Sequence, residues 1–326
     1  MAAAIETEKL RVVYSPGLLK RKKVGLAGLD LRVDENELVG YLGENGSGKT
    51  TTIKALVGLI PPSGGSARIF GLDVRAPRAR RALGYMPENP YFYEHLSGLE
   101  TLDFYGRLLG VGRAERRARA GELLDRFGLA HAARERVRGY SKGMVQRLGL
   151  AQAVLARPRL AILDEPMTGL DPVGRFDVRQ AIAEMREGGT TVFFSSHILA
   201  DVEAICDRVV MLHRGRVVAQ GRLEDLLSQR TKAVELAARG VTAAGVRGVG
   251  AEGELAACRR VREEGKRLYL TAPDEEAANR LVEAIRRAGG SLELFAPARE
   301  SLEEHFFRVR EAEEKGDAHG RAEALP

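Results

Sequence analysis

The chain has 326 residues, 44% hydrophobic and 29% charged, a balance that fits a folded globular protein and excludes a disordered one. No apolar run approaches the roughly 18 residues that a membrane span needs, and at about 150 residues per domain the length predicts two domains. Lys and Arg number 51 against 45 Asp and Glu, an excess of +6 that is interleaved with carboxylates rather than gathered on one element, so no nucleic-acid partner is expected.

In chain order, Met1-Ala2-Ala3-Ala4-Ile5-Glu6 lacks the basic region and long apolar core of a secretory signal. Residues 9–40 read as short strands separated by the basic turn Lys20-Arg21-Lys22-Lys23. That turn is either a solvated hairpin tip or a contact for an anionic surface. The strand-length run Glu37 to Leu42 leads into Gly43-Glu44-Asn45-Gly46-Ser47-Gly48-Lys49-Thr50. Helical spacing from Thr51 to Leu59 follows, and Pro61-Pro62-Ser63-Gly64-Gly65 stops it.

Residues 91–157 read as mostly helical. Ser97-Gly98-Leu99-Glu100 fits a capping box that opens a helix through Leu109, and Arg113 to Phe127 forms a second helix closed by Gly128. Apolar strands resume at Leu160–Leu163, Thr191–Phe194 and Val209–Leu212. Their alternation with helices predicts a parallel sheet covered on both faces.

The pattern breaks after about Gln229, and Ala237 to Ala257 is weakly patterned. A small α+β unit follows, with strands near Leu268–Leu270 and Ser291–Phe295 and helices over Asp274–Ala288 and Glu300–Arg310. The polar residues 311–326 are expected to form a disordered tail. Cys206 and Cys258 have no metal-type spacing and fit a reducing compartment better than a disulfide framework.

The segment Gly43-x4-Gly48-Lys49-Thr50 matches the P-loop pattern and sits between a strand and a helix, as its mechanism requires. Its glycines let the backbone approach phosphate oxygens, while the amides and the helix N-terminus supply partial positive charge. Glu44, Asn45, Gly46, Ser47 and Thr51 complete the expected cradle. Lys49 adds a full charge for the β- and γ-phosphates, and the Thr50 hydroxyl is placed to ligate Mg²⁺. In Leu160-Ala161-Ile162-Leu163-Asp164-Glu165-Pro166, a strand delivers two acids at its C-terminal end. Asp164 suits Mg²⁺, and Glu165 is expected to face the other way along the strand, suited to polarising a water. These motifs define a nucleoside triphosphatase of unspecified kind.

Tyr140-Ser141-Lys142-Gly143-Met144-Val145-Gln146-Arg147 resembles the signature loop of ABC-type ATPases. Thr168-Gly169-Leu170-Asp171 resembles the D-loop of that family, and His197 in Ser195-Ser196-His197 its switch histidine. Tyr14 stands where its members carry the aromatic that stacks on adenine. The resemblance covers about residues 9 to 225. It implies an ATP- and Mg²⁺-dependent ATPase of α/β P-loop NTPase fold over 5–228, with an antiparallel β subdomain and a helical subdomain at 91–157.

The same resemblance implies a head-to-tail dimer, expected to be a homodimer, with Ser141 and Gly143 facing the partner's nucleotide. His197 would contact the γ-phosphate and Asp171 would communicate across the interface. An integral-membrane permease would complete the machine, keeping this chain peripheral on the cytoplasmic face of the membrane and docked through residues 88–110. Lys142 and Met144 depart from the family pattern toward exporters of the ABC-2 type. Glu88 replaces the Q-loop glutamine, where it could approach the metal. Residues 229–310 would form a small accessory domain, because Ser301-Leu302-Glu303-Glu304-His305-Phe306-Phe307 resembles the terminal motif of such domains.

An ABC ATPase acting on DNA or the ribosome is the competing expectation. The chromosome type inserts a long coiled coil, whereas Lys49 and Asp164 stand only 115 positions apart with no heptad run. The ribosomal type usually carries two P-loops per chain. An unrelated P-loop kinase or GTPase would need neither the Ser141–Arg147 segment nor His197.

Overall fold

Alternating apolar residues in β1 (Ala3–Tyr14) and β2 (Lys23–Asp34) build a long antiparallel pair. Its inward residues, such as Ile5, Leu10, Leu29 and Val33, are fully buried. The computed structural model describes residues 2–14, 23–227, 233–298, 302–308 and 310. Lys20 to Lys22, Glu300, Ser301 and the 311–326 tail lie outside the described residues.

The chain continues through β3 (Leu38–Gly43), α1 (Lys49–Leu56), β4 (Gly64–Ile69), β5 (Leu72–Asp73), α2 (Pro77–Arg80) and β6 (Leu83–Met86). Next come the helices α3 (Gly98–Leu108), α4 (Arg113–Arg126) and α5 (Lys142–Ala153). Then follow β7 (Leu160–Leu163), α6 (Pro172–Glu187), β8 (Thr191–Ser196), α7 (Leu199–Ile205), β9 (Arg208–His213), β10 (Arg216–Arg222) and α8 (Leu223–Leu227).

One sheet has the order β2-β1-β4-β5, and its pairs are antiparallel. A six-stranded sheet has the order β10-β9-β3-β8-β7-β6. All of its pairs are parallel except the edge hairpin of β9 and β10. The expected parallel sheet is therefore present, with one antiparallel edge strand added. A single apolar cluster joins the two sheets, and Tyr41 packs on Phe193 with ring centroids 5.0 Å apart. The Tyr41 hydroxyl lies 2.9 Å from Thr52 Oγ1, which ties α1 to β3.

The strand order decides where chemistry can occur. β3, β8 and β7 are consecutive neighbours, and all three run the same way. Their C-terminal ends deliver the P-loop, Ser196-His197 and Asp164-Glu165 side by side, the edge at which open α/β sheets bind ligands.

Contacts divide the chain after Leu223, whereas the sequence pattern breaks near Gln229; α8 lies between the two points. The second unit contains β11 (Val234–Arg239), α9 (Ala243–Gly248), α10 (Glu252–Ala257), β12 (Arg260–Glu264), β13 (Arg267–Ala272), α11 (Glu275–Arg287) and β14 (Ser291–Pro297). Residues 302–308 are also helical. Its antiparallel sheet has the order β12-β13-β11-β14, the split β-α-β-β-α-β arrangement. Leu236, Leu268, Leu270, Leu281 and Ile285 form its core.

Candidate functional site

The P-loop is shaped by backbone geometry before any side chain contributes. Gly48 caps α1 at φ 113° without a side-chain acceptor, so the leading amides of the helix remain open to an anion. A Cβ at Gly48 would lie 2.8 Å from the Gly25 carbonyl oxygen, which requires glycine there for space as well as conformation. Gly215, in the turn between β9 and β10, donates its N–H to the Ser47 carbonyl at 2.7 Å and braces the loop from behind.

Lys49 and Glu165 meet inside the fold. Lys49 Nζ lies 3.2 Å from Glu165 Oε1, and both side chains are more than nine-tenths buried. The ammonium also donates to the Gly43 carbonyl at 2.6 Å and to the Glu44 carbonyl at 3.3 Å. The other Glu165 oxygen accepts from Thr168 Oγ1 at 3.1 Å and lies 2.8 Å from His197 Nδ1. A buried pair of this kind holds because every charge finds a partner.

Glu165 does not face the other way along the strand, as alternation predicts. Strand β7 ends at Leu163, and Glu165 adopts φ 48°, a left-handed conformation that is uncommon outside glycine. This reversal turns its carboxylate toward Lys49 while Asp164 remains beside Thr50, whose hydroxyl lies 3.5 Å from Asp164 Oδ1. Asp164 is buried, and that burial raises its carboxyl above the usual carboxylate range despite the bonds from Ser195 and Thr50 that oppose the shift. Burial, with Asp164 as a further cause, pushes the nearby Tyr85 hydroxyl up to about 12.

A cavity of about 610 Å³ opens over these groups. It gathers Tyr14, Glu44, Asn45, Gly46, Gly48, Lys49, Thr50 and Thr51 with Glu88, Glu165, Thr168 and His197. Such a volume suits a nucleotide-sized ligand. Gly43, Ser47 and Asp164 are not among the residues lining it; Ser47 Oγ is buried without a hydrogen-bond partner among the described residues. Tyr14 hydrogen-bonds Thr51 at 3.0 Å, and its ring leaves no room for a Cβ at Gly25, which would lie 2.8 Å away. Gly25 escaped the sequence reading, although a glycine within a strand signals close approach.

Thr50 and Asp164 offer oxygen donors of the kind Mg²⁺ takes. The described residues hold no group of three or more His, Cys, Asp or Glu able to grip a metal. That set fits a cation that draws its remaining ligands from phosphate and water. Glu88 lines the cavity, and its backbone carbonyl accepts from the buried Gln146 Nε2 at 3.3 Å.

Ser141 and Gly143 are not among the residues lining this cavity. Ser141 caps α5 and accepts the Met144 N–H at 3.3 Å. The Lys142 side chain lies across Gly169, filling the space that a Cβ would take there. Asp171 caps α6 by accepting the Gly174 N–H at 2.8 Å.

Residues 26–168 match the ABC transporter family. An ABC transporter ATP-binding protein of Synechocystis is 44% identical over 229 residues, covering 69% of this chain and 65% of that protein, just under two thirds of its length. The daunorubicin resistance ATP-binding protein DrrA3 of Streptomyces coeruleorubidus is 37% identical over 293 residues, 88% of this chain and 91% of its own. A solved ATP-binding subunit of an ABC transporter superposes with a TM-score of 0.62 at 35% identity, covering 69% of this chain and 92% of its own. The dimeric cassette MJ0796, bound to ADP and Pi, shares the fold at a TM-score of 0.62 and 24% identity over 67% of this chain and 98% of its own. With DrrA3 matched over 91% of its own length, these relatives place the chain in the family of ABC transporter ATP-binding proteins.

Proposed function

We propose that this chain binds MgATP between its own P-loop and the signature loop of a second, identical copy, and that hydrolysis drives export through a separate membrane permease. The observation that carries the reading is the contact set of Glu165, whose one carboxylate meets Lys49, His197 and Thr168 beside the P-loop. A nucleotide's β- and γ-phosphates would draw Lys49 away, leaving Glu165 to accept a proton from the attacking water. His197 would orient that carboxylate and meet the γ-phosphate. Tyr14 would stack on adenine. Thr50 and Glu88 on the cavity wall, with Asp164 buried beside Thr50, would hold Mg²⁺, which supplies charge neutralisation at the phosphates.

Ser141 and Gly143 would serve the nucleotide of the second copy, and a dimeric cassette of this fold bound to ADP and Pi supports that arrangement. DrrA3 is a drug-resistance protein, which supports export. No described helix is long and apolar enough to cross a membrane. The permease would hold the chain peripherally at the cytoplasmic face. A groove of about 1070 Å³ between α3 and α4, floored by Leu96, Leu99 and Phe104, supports docking through residues 88–110. In this reading residues 5–228 are the ATPase, 91–157 its helical subdomain and 229–310 an accessory domain.

Glu165→Gln is expected to bind ATP, to elute as a dimer with it, and to lose at least about 10²-fold in turnover. Lys49→Ala is expected to weaken ATP binding. Wild-type turnover by Glu165→Gln would remove the role given to that carboxylate.

A further inference from the structure

Ser195 sits near the end of β8 and is fully buried. Its hydroxyl donates to Asp164 Oδ1 at 2.7 Å and accepts the backbone N–H of Glu165 at 2.9 Å. One oxygen thus meets two consecutive residues, the side chain of the first and the main chain of the second. The parallel ladder between β7 and β8 ends at the pair Leu163 and Phe194. Asp164 and Glu165 lie just past it: the Asp164 N–H still bonds the Met86 carbonyl of β6 at 2.9 Å, whereas the Glu165 N–H finds its acceptor in Ser195. Glu165 is also the residue whose backbone takes the left-handed φ of 48°. A reversal of that kind persists only where surrounding bonds over-determine it.

We infer that Ser195 is a positioning residue for ATP hydrolysis: its hydroxyl fixes the Asp164 carboxylate and the reversed Glu165 backbone in one relation. The inference rests on the roles proposed above for Asp164 and Glu165. Ser195 is not among the residues lining the nucleotide cavity and acts only through these two neighbours. Without the hydroxyl, the Glu165 N–H loses its acceptor and the left-handed turn loses a tether. The Glu165 carboxylate then no longer stays between Lys49 and His197. Asp164 loses its 2.7 Å donor and with it the constraint that keeps one oxygen toward Thr50.

The test compares Ser195→Ala and Ser195→Thr in the full chain. Three quantities are measured: steady-state ATPase, binding of a fluorescent ATP analogue with and without Mg²⁺, and the melting temperature. Removal of an outer-shell partner costs about 10- to 100-fold, so Ser195→Ala should lower kcat by that factor while KM for ATP stays within about threefold. The Mg²⁺ concentration for half-maximal analogue binding should rise about tenfold, and Mg²⁺-free binding should stay unchanged.

Ser195→Thr keeps the hydroxyl and should restore kcat to within about threefold of wild type. A purely structural serine would lower the melting temperature without separating kcat from KM or moving the Mg²⁺ requirement. If Ser195→Ala melts below the assay temperature, Ser195→Cys, of similar size and a weak donor, replaces it in the same measurements. The inference is overturned if the variant lacking the hydroxyl keeps kcat and the Mg²⁺ requirement within about twofold of wild type. It is equally overturned if Ser195→Thr is as impaired as Ser195→Ala while both melt like wild type. Glu165→Gln run in parallel separates the two levels: its wild-type turnover would remove the Glu165 role, and the Mg²⁺ requirement would then still judge Ser195 through Asp164.

Discussion

At the scale of single residues, the site brings together two acids under different constraints. Asp164 is buried beside Ser195 and Thr50, and burial is the largest cause of its raised carboxyl pKa. The sign of the consequence follows from linkage. Below the ordinary Asp value both folded and unfolded chains are protonated, and no penalty arises. As pH rises the unfolded chain ionises first, so stability is lost through the window between the ordinary and the raised value. Asp164→Asn carries no such penalty. In metal-free buffer its melting temperature should exceed that of wild type, and the gap should widen as pH rises above the ordinary Asp value. A gap that closed over that range would contradict the burial account.

The acids themselves were legible in the sequence, because an apolar strand ending in Asp-Glu after a P-loop has few other uses. Their relative orientation was not. Strand alternation holds only while the ladder lasts, and here the ladder stops one residue before Asp164. Ser195 was invisible for a related reason: a serine in an apolar strand announces a buried hydroxyl and says nothing about what that hydroxyl meets.

At the scale of elements, legibility tracked local chemistry. The helix α3 begins where the capping box places it: Ser97 Oγ accepts the Glu100 N–H at 3.2 Å, and Glu100 accepts the Ser97 N–H at 2.8 Å. Ser97→Ala removes one half of that reciprocal cap and should cost about 1 kcal/mol, read as a lower urea midpoint with an unchanged slope. The strands β11 and β12 escaped the sequence reading. β12 is an edge strand, Arg-Val-Arg-Glu-Glu, exposed throughout and without a buried face to impose a period of two. β11 buries Ala237 and Ala238, whose small side chains give little hydrophobic signal. The contact between Gln146 of α5 and the Glu88 carbonyl was equally hidden, since it joins positions 58 residues apart. Through it the start of the helical region is tied to the helix that Ser141 caps.

At the scale of the whole molecule, the net charge of +6 says little, whereas its placement says more. Arg107 and Arg116 on the α3–α4 groove both pair with Asp103. Arg113 and Arg117 line the same groove, and neither has a carboxylate partner among the described residues. A permease segment seated there would have to bring acidic side chains to balance them. Reversing both charges in Arg113→Glu/Arg117→Glu should lower recovery of the permease in mild detergent by about tenfold. The ATPase of the isolated chain should stay within about twofold of wild type, because neither residue lines the nucleotide cavity. Undiminished recovery would move the docking surface elsewhere.

The ion pair between Lys49 and Glu165 has one more consequence, in the currency of exchange. An incoming triphosphate competes with a resident carboxylate for a single ammonium, so entry is a substitution of one anion for another. A diphosphate brings no γ-oxygens to that contest. In the proposed cycle, once the released phosphate carries off the proton that Glu165 took from water, the restored carboxylate competes again for Lys49, and the acid that starts each turnover also loosens the hold on its product.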